Sequence, residues 1–163
     1  MQTLLSMFRT TNYVINLSVA DLSDAVARKR TRSDGPSILW TIGHLMDSRH
    51  KALKLLGKDA VNKWAADYGS KAATDGSNYP SLAAMLEEWN ALHASLEAAC
   101  AAAPADYLDR ALPGAGPHGE EKIRDKVAFL AWHEGYHTGV IGAIRRGADM
   151  PGPADLVAAA SAS

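Results

Sequence analysis

The sequence predicts an all-α fold, a four-helix bundle, and three observations carry that prediction. Four segments repeat their apolar residues every three or four positions, no segment alternates convincingly with period two, and breaks rich in glycine and proline separate the periodic segments. With 163 residues, 47% of them hydrophobic and 21% charged, the chain has the size and composition of one domain around one core.

The first helix is expected from about Thr3 to about Lys29, on the spacing of Leu4, Phe8, Thr11, Ile15, Leu22 and Val26. Asp34-Gly35-Pro36 breaks the chain, and Pro36 suits the first turn of a second helix, where a missing N–H costs nothing. That helix should reach Leu56, with Ile38, Ile42, Leu45 and Leu53 on one side and Gly57 as its stop. The stretch Gly57 to Pro80 shows no period and contains Gly69, Asp75-Gly76 and Asn78, so a long loop is expected between helices two and three. A loop of this length usually serves as a binding loop or lid. Its Trp64 and Tyr68 either cover one end of the core or face a substrate. Ser81 can cap the third helix, whose inner stripe includes Met85, Trp89, Leu92 and Leu96. Pro104 to Gly119 reads as a loop. The fourth helix is expected from about Glu120 to Arg146, with acidic residues at its start and Arg145 and Arg146 at its end, where each sign suits the helix dipole. The resulting organisation is a bundle over 1–147 and a C-terminal tail, 148–163, rich in alanine and serine and expected to fray.

Seventeen basic and 18 acidic residues leave a net charge of -1, which speaks against nucleic acid or an anionic membrane as a partner, since both call for a concentrated positive field. No apolar stretch approaches the ~20 residues a membrane-spanning helix needs, and the N-terminal residues lack the pattern of a signal peptide. The one cysteine, Cys100, allows no internal disulfide and fits a reducing, cytoplasmic setting. It lies in an alanine-rich stretch with no base or positive charge nearby, and is not proposed as a nucleophile.

Histidine carries the chemistry. His133 and His137 stand four positions apart in the fourth helix, so both imidazoles can reach one ion from the margin of the apolar face. The same residues, with Glu134, spell the His-Glu-x-x-His of zinc proteases. That reading lacks its downstream ligand, because neither His nor Glu follows His137. A third ligand from upstream is His44 or His50, and spacing alone does not choose between them. His93 lies in the apolar face of the third helix and reads as a core histidine, and His118, in a glycine-proline loop, reads as solvated.

Two segments resemble those of the DinB/YfiT-like superfamily of metalloenzymes. Trp40-Thr41-Ile42-Gly43-His44-Leu45 is similar to its tryptophan-x-x-x-histidine-leucine stretch, and His133-Glu134-Gly135-Tyr136-His137-Thr138-Gly139-Val140-Ile141 to its histidine-x-x-x-histidine-x-glycine-x-isoleucine stretch. Val140 stands where members commonly have glutamine. The resemblance extends over roughly Met1 to Arg146 and implies a three-histidine centre of His44, His133 and His137, with positions left for water or substrate. It implies one divalent metal ion, zinc or nickel, since both accept nitrogen ligands. It further implies an enzyme acting on a small molecule, a hydrolase or an S-transferase that uses a low-molecular-weight thiol such as mycothiol or bacillithiol. Glu134 is the nearest candidate base, with an interhelical polar contact as its alternative role. Arg49, Arg145 and Arg146 are candidates to receive a substrate carboxylate, against the commoner solvated role of arginines on helix surfaces. A non-catalytic metal-binding module is the competing reading. The apolar sides of the first and third helices leave room for a homodimer.

Overall fold

The computed structural model describes residues 2–30, 35–62, 65–68, 79–116 and 119–162. Its elements are α1 (Gln2–Val19), α2 (Asp24–Arg28), α3 (Ile38–Leu55), α4 (Ala65–Tyr68), α5 (Leu82–Ala102), α6 (Ala105–Leu108), β1 (Ala111–Gly116), β2 (Gly119–Lys122), α7 (Ile123–Arg146) and α8 (Pro153–Ser161). The fold is the expected four-helix bundle, formed by α1, α3, α5 and α7, with α1 packed on α7 and α5, and α3 packed on α5 and α7. Phe8, Ile15, Leu39, Ile42, Met85, Trp89 and Val127 fill the core. Ser37 and Ser81 cap α3 and α5 by accepting from the Trp40 and Ala84 amides. Gly57 ends the second bundle helix with φ 74°, a left-handed conformation that glycine adopts without strain.

Three expectations need correction. The first helix breaks after Val19, because Ser23 caps a separate helix and the Asp21 carboxylate turns outward to bind Arg145. The loop after α5 contains an antiparallel hairpin, β1 against β2, pairing Ala111 with Lys122 and Ala115 with Glu120 across an irregular register. Glycines mark this ribbon and no apolar side alternates along it, which is why the pattern was not a strand signal; Gly114 and Gly119 both have positive φ. The residues after 147, expected to fray, hold α8. Its Pro153 ring packs so closely on Gly142 of α7 that a Cβ there would lie 2.9 Å from the ring. Asp155 accepts the Gly152 amide at its start. Trp64, Asp75-Gly76, Asn78 and His118 lie outside the described residues.

Candidate metal centre

α3 supplies one histidine of the site and α7 two. Along α3, Trp40, His44 and Ser48 follow at intervals of four and so share a face; along α7, His133 and His137 do the same. The two faces meet at the rim of the bundle. His44 Nε2 lies 3.2 Å from His133 Nε2, and His137 Nε2 lies 3.1 Å from the same atom. One nitrogen from each ring lies within 4.8 Å of the other two, and all three rings are half-buried.

Each ring is held. The His44 Nδ1–H donates to the Tyr68 carbonyl at 3.0 Å, which leaves Nε2 with its lone pair toward the other rings. Trp40 stacks flat on His44, with centroids 4.9 Å apart and planes 8° from parallel. The Ser48 hydroxyl lies 3.4 Å from His133 Nδ1 and donates to the His44 carbonyl. Tyr68 approaches because position 43 has no side chain, since a Cβ on Gly43 would lie 2.3 Å from the tyrosine ring. Of the two roles foreseen for Tyr68, its ring takes the first: it is buried at 1% exposure against the core. Its main-chain carbonyl serves His44.

Burial, more than any neighbouring charge, lowers the pKa of His133, with His44 and then Lys51 adding to it. Burial, His133 and His44 together push His137 down to about 4. Both rings are therefore neutral near pH 7, the form that ligates metal. Three nitrogens directed at one another fit an ion better than they fit hydrogen bonding. A neutral imidazole has one N–H, and that of His44 is already committed to Tyr68. Nitrogens ~2.0–2.1 Å from a tetrahedral zinc lie ~3.3 Å apart, close to the two separations from His133 Nε2.

Glu134 points the other way. It is fully buried, and Arg49 grips it with Nε on Oε1 at 2.7 Å and Nη2 on Oε2 at 3.1 Å, while the Thr11 hydroxyl donates to Oε2 at 2.5 Å. Arg49 also donates to Asn12 Oδ1 and to the Trp89 carbonyl, and its guanidinium covers the Trp89 ring at 3.3 Å. This hub therefore links α1, α3, α5 and α7. Arg49 is therefore not the solvated surface residue expected, and of the two roles weighed for Glu134 its carboxylate makes the interhelical polar contact. Arg145 is also fully buried, bound to Asp21 and to the Ser18 and Pro151 carbonyls, whereas Arg146 pairs with Asp155 at the surface.

His50 is buried elsewhere, with its Nδ1–H donating to the Met46 carbonyl. His93 is half-buried, 3.8 Å from Glu97, and its pKa is lowered mainly by burial. Cys100 is buried in α5, and burial raises its thiol pKa. Among the described residues, His44, His133 and His137 form the one group placed to share an ion.

The model of the DinB superfamily matches residues 7–141. The chain belongs to the DinB superfamily. A solved structure agrees with this membership: the protein described as "YfiT from Bacillus subtilis is a probable metal-dependent hydrolase with an unusual four-helix bundle topology" is 14% identical to this chain. It superimposes with a TM-score of 0.69 over 91% of this chain and 87% of its own. At that identity the likeness establishes the DinB-like fold. No curated protein matches the sequence. Two residues of the candidate centre are not singled out by the sequence. Ser48 had the signal of standing four positions after His44. Gly43 had the signal of a helix-interior glycine, which weakens a helix unless something approaches closely.

Proposed function

We propose that this DinB-superfamily chain is a metal-dependent enzyme acting on a small molecule, with His44, His133 and His137 as the ligands of one zinc or nickel ion. The observation that supports this reading most is the meeting of three imidazole nitrogens from α3 and α7, with His133 Nε2 at 3.2 Å from His44 Nε2 and 3.1 Å from His137 Nε2 and all three within 4.8 Å of one another. A three-nitrogen set at a rim leaves positions for water or substrate, the mark of catalytic rather than structural sites. When bound, the ion would supply Lewis acidity and lower the pKa of a water or thiol. The chain's own part is to keep two rings neutral by burial, to hold the His44 tautomer through Tyr68, and to seat His133 beside Ser48. The described relative's "probable metal-dependent hydrolase" supports hydrolysis as the first reaction to test, with S-transfer from a low-molecular-weight thiol as the second.

Glu134 acts in this reading as a positioning residue that sets α7 against α3. No helix of the described residues is long and apolar enough to cross a membrane, and a cytoplasmic setting suits the single reduced cysteine. A second copy would cover the aromatic surface of α7, where Phe129, Trp132 and Tyr136 are exposed; sedimentation would show the dimer.

The test is elemental analysis of the purified protein beside His44→Ala, His133→Ala and His137→Ala. One equivalent of metal in the parent and a large loss in every variant is expected. Retention in His44→Ala would exclude the ligand from α3. Hydrolysis of ester, amide and thiol-conjugate panels, lost with the metal, separates an enzyme from a module that only holds the ion.

A further inference from the structure

The α3–α7 seam continues past the histidines. The helices run antiparallel there, so that Ser48 faces His133, and the next turns bring Lys51 and Leu55 of α3 opposite Leu130 and Lys126 of α7. The hairpin closes the third side with Leu112, Pro113 and Glu121. The groove so formed has a volume of about 550 Å³, enough for a small organic molecule.

Its floor is apolar and its rim carries an excess of positive charge. Leu55, Leu112 and Leu130 pack against the core, while Lys51, Lys54 and Lys126 stand around one acid, Glu121. Lys51 is held by Asp47 at 2.6 Å, and Lys126 lies 3.8 Å from Glu121. Lys54 has no ion-pair partner among the described residues. Phe129 joins groove to centre: its ring stacks on His133 with centroids 6.0 Å apart, and the Lys126 ammonium lies 5.0 Å from the centroid of the same ring. Leu130 and His133 are three residues apart on α7, so the floor begins ~4.5 Å along the axis from a ring of the centre.

We propose that this groove is the substrate-holding half of the α3–α7 site, and that it takes a small molecule with an apolar body and an anionic group, a carboxylate or a phosphate. The apolar body lies on Leu55, Leu112 and Leu130, the anion meets Lys54 and Lys126, and the remaining end reaches the histidines. Lysines suit this role because each offers a mobile point charge that serves carboxylate and phosphate alike. The hairpin thereby gains a purpose, since without β1 the groove would lack its third side. The reactive end of the substrate depends on the three-histidine reading; the binding of the ligand depends on the groove alone.

The experiment titrates octanoate, octyl phosphate and octanol into the full chain by calorimetry, in chelator-treated and zinc-supplemented protein. Both anions should bind both forms at least about tenfold tighter than octanol, and Lys54→Gln/Lys126→Gln should weaken them about tenfold without changing zinc content. The stronger of the two anions identifies the head group. Lys54 is exposed and Lys126 partly so, and an unchanged thermal midpoint shows that the variant is folded; Leu112→Asn, on the hairpin, should weaken all three ligands. Equal affinity for octanol and octanoate, indifference to the lysine changes, or binding that disappears with the metal would overturn the groove assignment. A failed three-histidine reading would show separately, as absent zinc with lysine-dependent octanoate binding intact.

Discussion

Two clusters tie α3 to α7, and they treat polarity in opposite ways. At the rim, His44, His133 and His137 gather lone pairs with no counter-charge, and burial lowers the pKa of the two α7 rings. In the core, Arg49 and Glu134 bring full charges together and satisfy them with Thr11, Asn12 and the Trp89 carbonyl. His133 and Glu134 are sequence neighbours, and the ~100° turn between successive helix residues sends one to the rim and the other inward. The difference teaches which polar groups a bundle leaves open. Those already matched by protein partners hold the helices together; those whose ring nitrogens gather at the rim are prepared for something from outside.

The sharpest way to break the comparison is Glu134→Leu. It strands a buried guanidinium, and loss of one partner from such a pair costs ~3–5 kcal/mol, read as a lowered urea midpoint. Adding Arg49→Met should recover much of that loss, because an apolar pair of similar volume needs no counter-charge. If Glu134→Leu left stability unchanged and abolished only metal-dependent turnover, Glu134 would belong with the histidines.

Gly43→Ala tests the link between packing and tautomer. A methyl 2.3 Å from the Tyr68 ring must displace it. Overpacking of this kind costs ~1–3 kcal/mol, and here it also withdraws the carbonyl that holds His44. Metal affinity should fall with stability, whereas a surface Gly139→Ala, whose Cβ would meet nothing within 4 Å, should leave affinity alone.

The unequal legibility of the two clusters has a physical cause. Ligands for a shared ion must lie on one helix face, so His133 and His137 declare themselves by spacing. His44 did so only through its Trp40 context, because His50 was an equal on spacing alone. The ion pair left no such trace: Arg49 and Glu134 are 85 positions apart, and nothing local distinguishes a buried arginine from a solvated one. Arg145 was hidden in the same way by Asp21, 124 positions away. The helices were legible because each buries a stripe of its own residues. The hairpin and α8 were not, because glycines and alanines pattern weakly and their packing is decided by neighbours such as Gly142.

Acid should act on the rim. His133 and His137 have lowered pKa values in the fold, so the unfolded chain, with histidines near 6.5, binds more protons below that value. Their contribution to stability is present above pH 6.5 and is lost as the pH falls toward about 4, where His137 protonates. In chelator-treated protein the thermal midpoint should decline through that window. His137→Ala should flatten the decline. An unchanged slope in the variant would mean that the rim histidines are not the groups responsible.

The smallest effect expected is that of Ser48→Ala, and it discriminates most finely between holding a ligand and being one. The hydroxyl donates to the His44 carbonyl, so its hydrogen cannot also serve His133; toward Nδ1, at 3.4 Å, the oxygen is an acceptor for the ring N–H. That arrangement places the His133 proton on Nδ1 and leaves Nε2 open toward the other two rings. Without the hydroxyl, the ring loses a weak orienting contact but no ligand atom. Loss of such an outer partner typically lowers metal affinity ~10–100-fold, and the long distance puts Ser48→Ala at about tenfold, measured by competition with a chromogenic chelator. Stability of the metal-free protein should be nearly unchanged, because the His44 carbonyl keeps its intrahelical partner when the buried hydroxyl is removed. A loss as large as that of His133→Ala would instead make the Ser48 oxygen part of the ligand set.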